Sequence, residues 1–153
     1  MKNEDFENAV DAGKDQPKID PETAEMEFVR FCENNEIEHD ESKMTDEEKE
    51  TFGEIKKRII KACMKGRVET DGTSMVYTIS DFSPSGFKGE KITIKRPQGN
   101  AYSAMDSYRE RENVGRLHGF VSAMTGKDIR FFSKIDVSDW KFFNSVAQLF
   151  LSL

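Results

Sequence analysis

The chain has 153 residues, 36% hydrophobic and 34% charged, with a mean hydropathy of −0.70. That length suits one domain, and no apolar run approaches the ~20 residues that cross a bilayer. The start, Met1-Lys2-Asn3-Glu4-Asp5, lacks the apolar stretch of a signal peptide, so the expected location is cytoplasmic. The net charge of −6 hides a split: residues 1–50 hold 18 acids and 6 bases, whereas residues 51–153 hold 11 acids and 17 bases. An acidic first third could lie on a basic remainder or keep it in solution.

Residues 1–19 offer too little apolar surface to offset ordering and are expected to be disordered. A single α+β domain, mostly helical, is expected over 20–153. Asp20-Pro21-Glu22-Thr23 places a cap, a first-turn proline and an acid at the start of a helix over 21–34. A charged linker, 35–43, follows. Thr45-Asp46-Glu47-Glu48 is a capping-box pattern, and Phe52, Ile55, Ile59 and Cys63 recur at helical spacing over 46–65. Glu54 and Arg58 are spaced as an ion pair along this helix, and Gly66 sits where a left-handed cap is wanted. Cys32 and Cys63, both on apolar helix faces, read as buried free thiols.

The period then falls to two. Strands are expected at about 67–70, 74–80 and 91–96, forming a small central two- or three-stranded antiparallel sheet, with Asp71-Gly72 as a type I′ turn. Ser83-Pro84-Ser85-Gly86 reads as a looser connection, and Pro97 ends the third strand. Helices over 100–109, 113–125 and 137–152 complete the chain, with Phe131 and Phe132 on a brief turn and Asp136-Val137-Ser138-Asp139 capping the last helix.

Chemistry-bearing patterns are sparse. Cys32, His39, Cys63 and His118 have no metal-ligand spacing, and His118 on a helix face reads as packing or surface. No phosphate loop and no nucleophile arrangement is present. The reading is therefore a non-enzyme without catalytic, metal or cofactor residues. Lys56-Lys57-Arg58, Lys61, Lys65 and Arg67 line one helix and its exit, which makes a small nucleic-acid-binding regulator using the basic helix 56–67 the runner-up. The overall acidity and the lack of aromatics among those bases argue against it.

Apolar surface is the conspicuous feature. Five of the twelve phenylalanines fall in the last 23 residues, beside Trp140. Apolar groups at 137, 140, 142, 143, 146, 147, 150, 151 and 153 make a stripe too wide for one contact, and surplus apolar surface marks a partner or oligomer interface. The expected contact residues are Trp140, Phe143, Phe150 and Leu151, with Phe131 and Phe132 at the edge.

Residues from about 90 to 153 resemble the tail assembly chaperones of long-tailed bacteriophages and prophages. The likeness lies in Ile92-Thr93-Ile94-Lys95-Arg96-Pro97, in the turn and helix from Gln98 to Asp106, in the helix from Leu117 to Thr125-Gly126, and in Ile135-Asp136-Val137-Ser138-Asp139-Trp140 opening an apolar terminal helix. The run from Ile59 to Gly66 is also similar to what precedes that pattern in some members. Two features depart from the family: a longer acidic segment over 1–43, and Gly99-Asn100 where an acid is commoner. The resemblance implies a non-enzymatic protein that coats the tape measure protein in the host bacterial cytoplasm during tail assembly and is absent from the mature virion. The expected partner is that tape measure protein or a second copy of the chain, with no membrane. A structural tail component is a further alternative.

Overall fold

The computed structural model describes residues 18–106 and 113–152. Seventeen of the nineteen residues expected to form the tail lie outside that range. The last two, Lys18 and Ile19, are tied down instead: both backbone N–H groups donate to the Met64 carbonyl, at 2.7 and 3.2 Å.

Helix α1 (Pro21–Asn34) starts where the sequence places it, because the Asp20 carboxylate accepts from the Thr23 N–H and hydroxyl, both at 2.9 Å. A 3-10 turn (Glu41–Lys43) interrupts the charged linker, and Ile37 within that linker is buried. In α2 (Asp46–Met64) the Thr45 hydroxyl accepts from the Glu48 N–H at 3.2 Å. Gly66 ends α2 with φ of +74°, the left-handed geometry that favours glycine. Arg58 does not pair with Glu54; its Nη1 donates to Ser145 Oγ at 3.1 Å.

Strands β1 (Val68–Asp71), β2 (Ser74–Thr78) and β3 (Lys91–Ile94) form an antiparallel sheet in the order β1-β2-β3. Met75, Tyr77, Ile92 and Ile94 share its buried face, with Met75 opposite Ile94 and Tyr77 opposite Ile92. The first turn differs from the type I′ expectation. Asp71 pairs with Ser74, so the central residues are Gly72 and Thr73, and only Gly72 has positive φ, at +60°. That is the placement a type II′ turn requires.

Helices α3 (Gly99–Asp106), α4 (Asn113–Thr125), α5 (Ile129–Phe132) and α6 (Val137–Leu151) follow. The six-residue gap after α3 falls on residues outside the described range, and with it the last part of the helix expected over 100–109. The architecture is α+β and mostly helical. Helix α6 runs through its middle, packing against α2 and α4. Phe142 stacks on Tyr77 of the sheet at 4.1 Å between centroids, and Phe150 meets Phe31 of α1 at 5.8 Å.

This central position overturns the argument from surplus. Phe142, Phe143, Val146, Ala147, Leu149 and Phe150 are all buried, because α6 is enclosed by two helices, a sheet and α1 together. A stripe too wide for one contact is what a helix with several neighbours needs. Phe132, Phe143 and Phe150, expected on an interaction surface, are 2%, 0% and 1% exposed and belong to the core.

Candidate apolar interaction surface

The six aromatic and aliphatic residues singled out from the sequence fall into two places. Phe131, Phe132, Trp140 and Phe143 come together at the start of α6. Phe150 and Leu151 lie at its other end, Phe150 against Phe31 and Leu151 half-buried. Only Phe131, Trp140 and Leu151 of the six keep surface exposed.

Around the first group the rings form a continuous row. Phe87, from the β2–β3 connection, meets Phe131 edge-on at 5.5 Å; Phe131 meets Phe132 at 5.2 Å. Phe132 lies 6.1 Å from Trp140, and Trp140 stacks flat on His118 of α4 at 4.0 Å with 7° between planes. Phe87, Phe131, Trp140 and His118 are half-buried over the sealed Phe132, which in turn contacts Phe143 at 5.2 Å. Lys127 Nζ sits 5.5 Å above the Phe131 ring while pairing with Glu90 at 2.8 Å. The two elements that frame this row, the β2–β3 connection and the start of α6, each also carry an apolar group open to solvent: Phe82 at 73% and Val137 at 62%.

Local sequence explains why the row holds its shape. Asp128 caps α5 by accepting from the Arg130 N–H at 2.8 Å, and Asp136 caps α6 by accepting from the Ser138 N–H at 2.9 Å. Hydrogen bonds from the Arg130 side chain hold the Asp128 carboxyl below its ordinary range; those from Ser138, side chain first, do the same for Asp136. In the β2–β3 connection the Ile79 N–H donates to Glu90 and the Gly89 N–H to Ile79, closing its base, while Phe87 N–H donates to Pro84 at 2.8 Å.

The strongest fastening is a residue the sequence reading saw only as part of a cap. Asp139 is 0% exposed and accepts four hydrogen bonds, two at each oxygen. Oδ1 takes Tyr77 OH at 2.6 Å and Ser80 N–H at 3.0 Å. Oδ2 takes Ser80 Oγ at 2.8 Å and Ser83 Oγ at 2.6 Å. Both Tyr77 burial and the adjacent carboxylate push that phenol above its ordinary range. With both oxygens occupied by fixed donors, Asp139 is a structural tie between α6 and the connection that carries Phe82.

Phe82 and Phe87 were not legible as surface candidates from apolar periodicity, since they sit on turns; Val137 was counted in the apolar stripe of the last helix but not singled out as a contact residue. A usable signal for Phe82 was present: Ser80-Asp81-Phe82-Ser83-Pro84 is turn chemistry, and a ring on a turn has no element face to hide it. His118 packs on Trp140, in line with the packing reading.

Among the described residues no group of three His, Cys, Asp or Glu side chains is gathered to hold a metal ion, and no helix is long and apolar enough to cross a membrane. Cys32 and Cys63 are free and buried. In the basic helix, Lys56 pairs with Glu25 at 2.9 Å and Arg58 is spent on Ser145. No family model, curated protein or solved structure matches the chain.

Proposed function

We propose that the chain is a non-enzymatic phage tail assembly chaperone that binds the tape measure protein through the aromatic row at the start of α6. The observation that supports this reading is the row of half-exposed Phe87, Phe131 and Trp140 joined through buried Phe132, with open Phe82 and Val137 on the same two elements. Rings already fixed by neighbours lose little freedom on binding, which favours contact with an apolar helix face. The binding residues in this proposal are Phe131 and Trp140, joined by Phe82, Phe87 and Val137, with Phe132 and Phe143 as their floor. The expected location is the host bacterial cytoplasm.

The experiment is co-expression with the tape measure protein of the same genome. The chain should keep that protein soluble and co-purify with it. The F131S/W140S variant should remain folded by circular dichroism yet lose the complex, since aromatic anchors of this kind contribute about 2 kcal/mol or more each. Failure of the unmodified chain to bind the tape measure protein sinks the chaperone reading. A double variant that binds as well as the parent sinks the surface.

A further inference from the structure

Elsewhere on the surface, a groove of about 290 Å³ opens between the β1–β2 turn, the chain leaving β3, the start of α3 and Ala123 of α4. Its walls carry Thr73, Ser74, Lys95, Arg96, Gln98 and Asn100, with Ala123 as an apolar member of the lining. Although the whole chain is acidic, no carboxylate lines this groove. Neither cation forms an ion pair among the described residues. Arg96 spends only Nη1, on the backbone and side-chain oxygens of Asn35, both neutral acceptors.

Asn35 makes the arrangement a built one. It is 0% exposed, and its hydrogen bonds end on both walls. Its side-chain and backbone oxygens fix the Arg96 guanidinium, while its amide Nδ2 donates to the Thr73 carbonyl at 3.3 Å and to Phe31 at 3.0 Å. Asn34 Nδ2 clips the neighbouring Gly72 carbonyl at 3.1 Å. The turn and the Arg96 strand exit are thus held in register by one buried side chain, with the remaining guanidinium N–H groups uncommitted.

We infer that this groove is a binding site for a phosphate group. Six of the seven lining residues carry side chains able to donate, the Gln98 amide already reaching the Arg96 carbonyl at 3.5 Å. Such a set exceeds what a two-oxygen carboxylate can use, whereas a phosphate accepts from several directions. Arg96 would supply a planar two-pronged contact and Lys95 a point charge, with hydroxyls and amides completing the shell. The phosphate could come from a small phosphorylated molecule or from a nucleic-acid backbone; the chemistry recognised is the same. This site is separate from the aromatic row, and its test uses the chain alone, so it stands or falls independently of the chaperone reading.

The test is amide NMR of the isotope-labelled full chain, titrated with inorganic phosphate, then AMP, then a short DNA duplex, each against potassium chloride of equal ionic strength. Shifts should gather on Thr73, Ser74, Lys95, Arg96, Gln98 and Asn100. Lys95→Gln should weaken binding about tenfold without changing the fold, since its exposed side chain makes no hydrogen bond or ion pair among the described residues. A K57Q/K61Q control on α2 should leave binding unchanged. Response to phosphate and AMP assigns a small-molecule source. Response in the groove to duplex alone, falling steeply with salt, assigns a backbone source. The inference is overturned if none of the three ligands moves groove residues beyond the salt control, if shifts follow the α2 lysines instead, or if K95Q binds as the parent does.

Discussion

Ser83 and Asp139, 56 residues apart, share a 2.6 Å hydrogen bond, and the same Ser83 oxygen accepts the Asp136 N–H at 2.8 Å. In a capping box the acid three residues into a helix reaches back to the N-cap N–H itself. Here Ser83 stands between the two: it takes the N-cap N–H and donates to the acid. The cap of α6 is thereby completed by the β2–β3 connection, so helix start and loop form as one unit. Removing the carboxylate leaves the Tyr77, Ser80 and Ser83 donors buried without an acceptor. D139A should cost about 3–5 kcal/mol in urea unfolding, because uncompensated buried polar groups bear the full desolvation penalty.

Ser83→Ala removes the relay but leaves three donors on Asp139. Its cost should be smaller, about 1–2 kcal/mol. The local readout is sharper: amide exchange at Asp136 should speed up in S83A, as its N–H loses its acceptor. Combining S83A with D139A should cost less than the two singles added, since both act on one network. Strict additivity would show that the two residues are not coupled.

Local chemistry made much of this fold readable in advance. Asp20-Pro21 and Thr45-Glu48 announce their helices because caps act within four residues, and β1 to β3 announce themselves by alternation. What stayed hidden depends on distant partners. The wide stripe on α6 was visible, yet whether it faces a partner or a core depends on how many elements surround it, and Tyr77, Phe31 and α2 all do. Asp139 looked like an ordinary first-turn acid because its donors lie near residue 80. Among the candidate surface residues, Phe131 and Trp140 were legible as aromatics, but Phe82 and Phe87 belong to no periodic element.

Core and rim should separate cleanly under alanine substitution. Phe143 is sealed between Tyr77, Phe132 and Phe142, and Phe150 lies against Phe31. F143A and F150A should each cost about 3–5 kcal/mol through lost burial plus a residual cavity. Phe131 is half-buried, so F131A should cost only about 1–2 kcal/mol. Chemical unfolding of the three variants checks this ranking. Equal losses would mean that Phe131 is core as well and that the aromatic row is no surface.

Alkaline pH should weaken the fold through its thiols. Burial pushes both Cys32 and Cys63 from about 9.0 up to about 12. Above pH 9 the unfolded chain therefore gives up thiol protons that the folded chain keeps. The unfolded state then binds fewer protons, so stability falls as pH rises, by about 1 kcal/mol per pH unit for each thiol between the two values. Below pH 9 both states hold the proton and the thiols add no slope. The C32A/C63A pair should flatten the alkaline limb of a stability-versus-pH curve relative to the parent, even though filling those sites with alanine lowers stability overall. In the parent, a thiol reagent at neutral pH should label neither cysteine until denaturant is added. Rapid labelling of the native chain would mean that the α1 and α2 faces carrying these sulfurs open readily, and the thiol part of the alkaline slope should then be absent, leaving only the Tyr77 contribution above about pH 10.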